Sequence, residues 1–167
     1  MTNSVRNETP APYSPAATVT ENEDAILTKA LEILARRLMK VDVLHATSSD
    51  ATEAYLKLKV AELGHEVFGV LFLDNQHHLI EDVELFRGTI DGASVYPREV
   101  LKEALSHNAA AVIFYHNHPS GLAEPSQADQ AITARLVAAL KLVDIRVLDH
   151  IIVGGMDTYC FASHGLI

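Results

Sequence analysis

The stretch HNHPSGLAEPSQAD, residues 116–129, gathers metal-binding side chains directly behind an apolar segment. His116 and His118 follow AAAVIFY, residues 109–115, which has the composition of a buried strand. Side chains two positions apart in a strand point to the same side, so both imidazoles can reach one point. The His-x-His pair by itself has two interpretations: a pair of metal ligands, or two polar side chains at a strand end.

A helix start follows this pair at a short distance. The segment PSGLAEP predicts a turn, after which Ser126 is suited to cap a helix and Asp129 lies in its first turn. In that geometry Asp129 faces back toward the end of the strand. Two imidazole nitrogens and one carboxylate oxygen would then converge at the strand's carboxyl end, where open α/β sheets usually place their sites.

A His, His, Asp set without a thiolate is typical of catalytic zinc, because three protein ligands leave the fourth position to water. Zn²⁺ is therefore the expected cofactor, and it lowers the pKa of a bound water toward about 7. Glu66 precedes an apolar strand and is the candidate general base. The Ser126 hydroxyl is the candidate donor to the developing oxyanion.

These residues also resemble a known signature. Glu66, HNHP at 116–119 and SQAD at 126–129 resemble the JAMM motif of MPN-type metalloproteases, in which E is followed at a distance by H-x-H-P-x6-S-x2-D. The segments FRGTIDGASVYPREV, HNHPSG and RVLDHIIVG are similar to the RadC family. The likeness runs from about residue 45 to residue 167.

The resemblance implies a fold and a role for each matched residue. The fold would be MPN/JAMM-like, with a cytidine-deaminase-like architecture. His116, His118 and Asp129 would bind zinc, Glu66 would act as the acid/base residue, and Ser126 would assist the transition state.

Hydrophobic periodicity and turn residues predict the elements around the motif. An amphipathic helix is expected first, then a helix from SSDATE to Gly64, with Asp50 as its N-cap. The predicted strands and remaining helices are a strand at 66–74, a returning strand in LIEDVELF, a helix from Pro97 to about His107, a strand at 109–115, a helix from Ser126, a strand in IRVLDHIIVGG and an edge strand in TYCFA. This order indicates an α/β fold: a single layered domain with a mixed β-sheet flanked by helices.

Composition divides the chain into three parts. Residues 1–19 are rich in Pro, Ser, Thr and Ala, which predicts a disordered tail. Residues 20–44 are expected to form the N-terminal amphipathic helix, and 45–167 to form one domain.

Charge and cysteine content exclude several classes of protein. The net charge of −9 argues against nonspecific nucleic-acid binding, which needs a basic face. The single cysteine, Cys160, cannot form an intramolecular disulfide or a thiolate-rich zinc site, and is interpreted as a small buried apolar residue. No apolar run reaches the roughly 18 residues that span a bilayer, so no membrane partner is expected and a cytoplasmic location is the default.

The leading hypothesis is a zinc-dependent hydrolase that cleaves a peptide or isopeptide bond in a protein or peptide substrate. The alternative is a noncatalytic zinc-containing binding module associated with DNA repair or recombination. A metal-dependent nuclease is a third possibility, although nucleases normally offer a carboxylate-rich magnesium cluster. Asp149 and His150 lie on an apolar strand and have two interpretations: contact with a zinc-binding histidine, or a structural pair.

Overall fold

The computed structural model describes residues 21–39, 49–88 and 95–167. The predicted tail at 1–19 and residues 40–44 lie outside these ranges. The helices are α1 (Glu21–Met39), α2 (Ser49–Val60), α3 (Pro97–Ser106) and α4 (Gln127–Lys141). The strands are β1 (Val67–Leu73), β2 (Leu79–Arg87), β3 (Ala111–Asn117), β4 (Arg146–Gly154) and β5 (Asp157–Cys160).

The five strands form one mixed sheet in the order β2-β1-β3-β4-β5. Strand β1 pairs antiparallel with both β2 and β3, and β5 pairs antiparallel with β4. Strands β3 and β4 are parallel, and α4 forms the connection between them. Such a connection places the start of α4 at the carboxyl end of β3.

Every residue of β1 and β3 is buried, because helices cover both faces of the sheet. On one face, α1 and α2 pack through residues such as Leu38 and Leu56 against alternate strand residues such as Leu71 and Ile113. On the other face, α3 and α4 pack against the intervening strand residues. The predicted α/β fold with a mixed sheet flanked by helices is thus confirmed.

Some boundaries differ from the sequence prediction. Strand β3 extends to Asn117, since its last residues pair with β1 and β4 even though His116 is polar. Asp50 lies inside α2, which begins at Ser49, and the regular part of this helix ends at Val60, before Gly64. No helix among the described residues is long and apolar enough to cross a membrane.

Candidate metal centre

The two histidines of the motif lie at the carboxyl end of β3. His116 is still within the strand, opposite Phe68 of β1 and Ile152 of β4, and its side chain is buried. His118 is one residue beyond the strand, and its backbone N–H donates to the carbonyl of Val153 at 2.8 Å. The sheet pairing therefore fixes both residues, and the alternation of the strand turns both imidazoles to the same side.

Asp129 is held by the N-terminus of α4. Ser126 is the N-cap, and its Oγ accepts a hydrogen bond from the Asp129 N–H at 3.1 Å. In return, Asp129 Oδ2 accepts from the Ser126 N–H at 2.7 Å and from the Ser126 hydroxyl at 2.6 Å. This reciprocal capping box fixes the carboxylate before any ligand binds.

The three side chains converge on one point. His116 Nε2 lies 3.0 Å from His118 Nε2 and 3.3 Å from Asp129 Oδ1, and His118 Nε2 lies 3.5 Å from Asp129 Oδ2. One potential ligand atom from each residue lies within 4.8 Å of the others. Each of these atoms can offer a lone pair, so the group could hold a metal ion.

A backbone carbonyl sets the tautomer of His118. Its Nδ1 is 2.6 Å from the carbonyl oxygen of Leu122, which can only accept, so Nδ1 carries the proton and Nε2 is free in the neutral ring. Gly154 permits this contact, because a Cβ at that position would lie 2.4 Å from the backbone nitrogen of Ala123. The glycine at the end of β4 thus lets the 119–123 loop approach closely enough to orient a histidine.

The electrostatics of the group favour a positive charge. Burial opposes ionisation of Asp129, but the neighbouring imidazoles of His116 and His118 and the hydrogen bond from Ser126 outweigh it and hold the pKa of this carboxyl well below its ordinary value. The adjacent Asp129 carboxylate favours the protonated form of His118 and raises its pKa. A negative carboxylate beside two imidazole nitrogens is a donor set that suits Zn²⁺, and the residues present therefore fit this ion.

Glu66 lies immediately before β1 and faces the same cleft as the three candidate ligands. Asn117 holds this segment in place: its Oδ1 accepts from the Val67 N–H at 2.8 Å, and its Nδ2 donates to the carbonyl of His65 at 3.0 Å. The antiparallel pairing of β1 with β3 therefore brings the start of one strand beside the end of the other. This pairing joins positions that are far apart in the sequence.

The cleft combines the polar group with an apolar wall. Phe68, Val95 and Ile132 line it together with Glu66 and the three candidate ligands. The Ser126 hydroxyl proton is directed to Asp129 Oδ2 in this structure. The predicted role of Ser126 as an oxyanion donor would require this hydroxyl to turn away from the carboxylate.

A family comparison agrees with this geometry. The family model described as "RadC-like JAB domain" matches residues 46–166. The chain belongs to the RadC family. The match covers the whole sheet and the candidate metal centre, so the resemblance seen in the motifs extends across the RadC domain.

Several curated relatives bear the name UPF0758 protein. One from Vibrio cholerae is 60% identical over 143 residues, which cover 86% of this chain and 89% of that protein. One from Nitrosococcus oceani is 62% identical over 130 residues, covering 78% of this chain and 57% of the relative. One from Vibrio parahaemolyticus is 54% identical over 143 residues, covering 86% and 63%. The chain thus spans less than two thirds of the latter two RadC-family relatives.

The structure brings all five candidate site residues of this RadC domain to one cleft. The side chains of Asp149 and His150 have different partners. The Asp149 carboxylate accepts hydrogen bonds from the backbone N–H groups of His150 and Ala162. The His150 imidazole instead contacts the imidazole of His116. The sequence left two interpretations of Asp149 and His150: contact with a zinc-binding histidine, or a structural pair. The structure shows that His150 contacts a candidate metal ligand.

Sequence reasoning missed three contributors to the site: Asn117, Thr133 and the carbonyl of Leu122. Thr133 had a detectable signal, because it lies four residues after Asp129 and so on the same face of α4. The two others act through contacts that no local pattern specifies. Leu122 contributes its backbone carbonyl to His118, whereas its side chain is exposed.

Proposed function

We propose that this protein is a zinc-dependent hydrolase that cleaves a peptide or isopeptide amide bond. The observation that carries the proposal is the convergence of His116, His118 and Asp129 in a cleft that Glu66 also lines. Three protein ligands with an open fourth position are the pattern of catalytic rather than structural zinc. Membership of a JAB-domain family supports the same assignment.

His116 and His118 would hold the ion through Nε2, and Asp129 through its carboxylate. Zinc at this position would supply Lewis-acid activation of a water and of the substrate's carbonyl oxygen. The apolar wall of Phe68, Val95 and Ile132 limits the water around the reacting atoms, which strengthens electrostatic interactions within the cleft.

Glu66 is the proposed proton carrier. Its carboxylate accepts the proton of the attacking water and then delivers it to the nitrogen of the leaving amine, so that the C–N bond breaks as a neutral amine departs. Ser126 holds Asp129 Oδ2 in the resting geometry. We propose that its hydroxyl assists the transition state only after it turns from Asp129 toward the substrate oxygen.

The test combines metal content with turnover. The protein is loaded with zinc, and quenched fluorescent peptide libraries containing either peptide or lysine isopeptide linkages serve as probes. Glu66→Gln should bind zinc like the wild type and lose about 10²–10⁴-fold in turnover, the usual contribution of general acid–base catalysis. Glu62→Gln is the matched control, because Glu62 is exposed in the turn that follows α2.

Three results would contradict the proposal. Failure of the wild type to bind zinc would remove the metal centre. Zinc binding without turnover of either linkage would favour the noncatalytic binding module. Equal turnover by Glu66→Gln and Glu62→Gln would exclude Glu66 as the proton carrier.

A further inference from the structure

Behind the metal centre lies a fully buried histidine that the proposed reaction does not use. His150 belongs to β4 and has 0% exposure. Three phenylalanine rings surround its imidazole, with centroids 5.6 Å away for Phe68, 5.8 Å for Phe114 and 4.8 Å for Phe161. This packing leaves the ring little freedom to reorient, so its two nitrogens keep their partners.

Both nitrogens of His150 have polar partners. Nε2 lies 2.8 Å from Nδ1 of His116, and Nδ1 lies 2.6 Å from Oγ1 of Thr133. Thr133 Oγ1 lies in turn 2.5 Å from the backbone carbonyl oxygen of Asp129. A continuous chain of hydrogen bonds therefore runs from the first turn of α4 to a candidate metal ligand in β3.

The direction of this chain follows from the carbonyl at its end. A carbonyl oxygen can only accept, so the one hydroxyl proton of Thr133 is donated to Asp129. Thr133 Oγ1 must then accept from His150, which places the His150 proton on Nδ1. A second proton would make His150 a buried imidazolium with no carboxylate at either ring nitrogen, which is costly, so the ring is neutral and its Nε2 has a free lone pair.

The hydrogen bond between His150 and His116 sets the tautomer of His116 in turn. His150 Nε2 can only accept, so His116 donates from Nδ1. A neutral His116 with its proton on Nδ1 has a free lone pair on Nε2, the atom that faces His118 and Asp129. In His118, the backbone carbonyl of Leu122 holds the proton on Nδ1. His116 lies within the sheet, and the side chains of His150 and Thr133 hold its proton on Nδ1.

We propose that His150 and Thr133 are positioning residues that hold His116 in its Nδ1-protonated tautomer and thereby direct its Nε2 lone pair toward the metal. The inference rests on the proposed function, because the metal is what this lone pair would bind. Two candidate ligands are thereby linked, because the helix turn that carries Asp129 also sets the tautomer of His116.

The first measurement is the tautomer itself. Long-range proton–nitrogen correlation spectra of ¹⁵N-labelled protein, taken in the metal-free state above the ordinary histidine pKa, report which nitrogen of His116 bears the proton. The wild type should show it on Nδ1. Thr133→Val removes the acceptor of His150 at nearly constant volume, so His116 should become a mixture of tautomers. Thr133→Ser keeps the hydroxyl and should restore the wild-type spectrum.

The second measurement is the zinc affinity, obtained by competition with a chromogenic chelator. Loss of a partner that orients a metal-binding histidine typically lowers the metal affinity by about 10–100-fold. Thr133→Val should lower the zinc affinity by a measurable factor that does not exceed this range. Thr133→Ser should bind like the wild type. A cooperative melting transition of metal-free Thr133→Val shows that the fold is intact.

The outcomes separate this inference from the proposed function. A wild type with the His116 proton on Nε2, or a Thr133→Val variant equal to wild type in both tautomer and affinity, would overturn the positioning role alone. A wild type that shows the Nδ1 proton and yet binds no zinc would support the hydrogen-bond chain and overturn the hydrolase.

Discussion

Two partly buried polar clusters lie on opposite faces of β3, and each contains one of two consecutive residues of this strand. His116 belongs to the metal centre, beneath α4. Tyr115 points to the other face, where it donates to Asp82 Oδ1 at 2.8 Å. Tyr55 donates to the other oxygen of Asp82 at 2.5 Å, and the Lys59 ammonium contacts both Asp82 and Tyr115.

The two clusters differ in how they satisfy their polar atoms. In the Tyr–Asp–Lys cluster, donors meet acceptors and one ammonium balances one carboxylate, so the group is complete without a ligand. In the metal centre, lone pairs of two imidazoles face a carboxylate, and a cation is what would complete them. A closed polar network indicates a structural role, whereas an excess of convergent acceptors indicates a binding site.

Asp129→Ala should produce the largest effect, which is a loss of zinc binding at the metal centre. Removal of the carboxylate leaves two candidate ligands, so zinc affinity should fall by orders of magnitude, while loss of the capping box costs about 1 kcal/mol of stability. Elemental analysis after desalting measures the zinc. Asp82→Ala is the control and should keep its zinc. Full zinc occupancy in both variants would contradict the assignment of Asp129 as a zinc ligand.

Asp82→Ala should have the next largest effect, on stability rather than on zinc. It leaves two buried tyrosine hydroxyls and the Lys59 ammonium without their acceptor. We expect a loss of about 3 kcal/mol, the low end for breaking a buried ion pair, because Lys59 still reaches solvent. Urea denaturation of the metal-free protein measures it, with exposed Asp157→Ala for comparison. If both variants were equally stable, the cluster would not be structural.

Alkaline pH should weaken the closed cluster. Burial, reinforced by Asp82, raises the pKa values of Tyr115 and Tyr55 well above their ordinary range. Above about pH 10 the unfolded chain loses these protons while the native protein keeps them, so stability falls as pH rises, by at most about 1.4 kcal/mol per pH unit for each group.

Tyr115→Phe removes one of the two groups and should make this decline shallower. Free energies of unfolding from urea titrations at several alkaline pH values give the slope. Tyr96→Phe is the matched control, since Tyr96 is 59% exposed. Equal slopes in wild type and Tyr115→Phe would rule out this contribution.

Cys160 should give the smallest effect. Burial, with Asp149 and Glu53 nearby, raises the pKa of its thiol to about 12, so little thiolate exists near neutral pH. A disulfide reagent should label it slowly in the native protein and rapidly in urea. Cys160→Ala should leave zinc affinity unchanged; a weakened affinity would connect this side of the sheet to the metal centre.

Local patterns in the sequence were sufficient for much of the fold and for the choice of candidate metal ligands. The apolar segment before His116 indicated a strand buried on both faces, and Ser126 with Asp129 indicated a capped helix start. The extent of β3 was less predictable, because two polar residues at its end are paired by neighbouring strands. The predicted roles of His116, His118, Asp129, Glu66 and Ser126 still await the metal and activity measurements.

The sequence by itself determined which side chains could converge, because strand alternation and helix capping act over a few residues. Only the tertiary structure decided what surrounds them. Pairing of β1 with β3 brought Glu66 into the cleft, pairing of β3 with β4 placed His150 behind His116, and the close approach allowed by Gly154 aligned a carbonyl with His118. These contacts join residues far apart in the chain, and their geometry depends on the packing of the whole sheet.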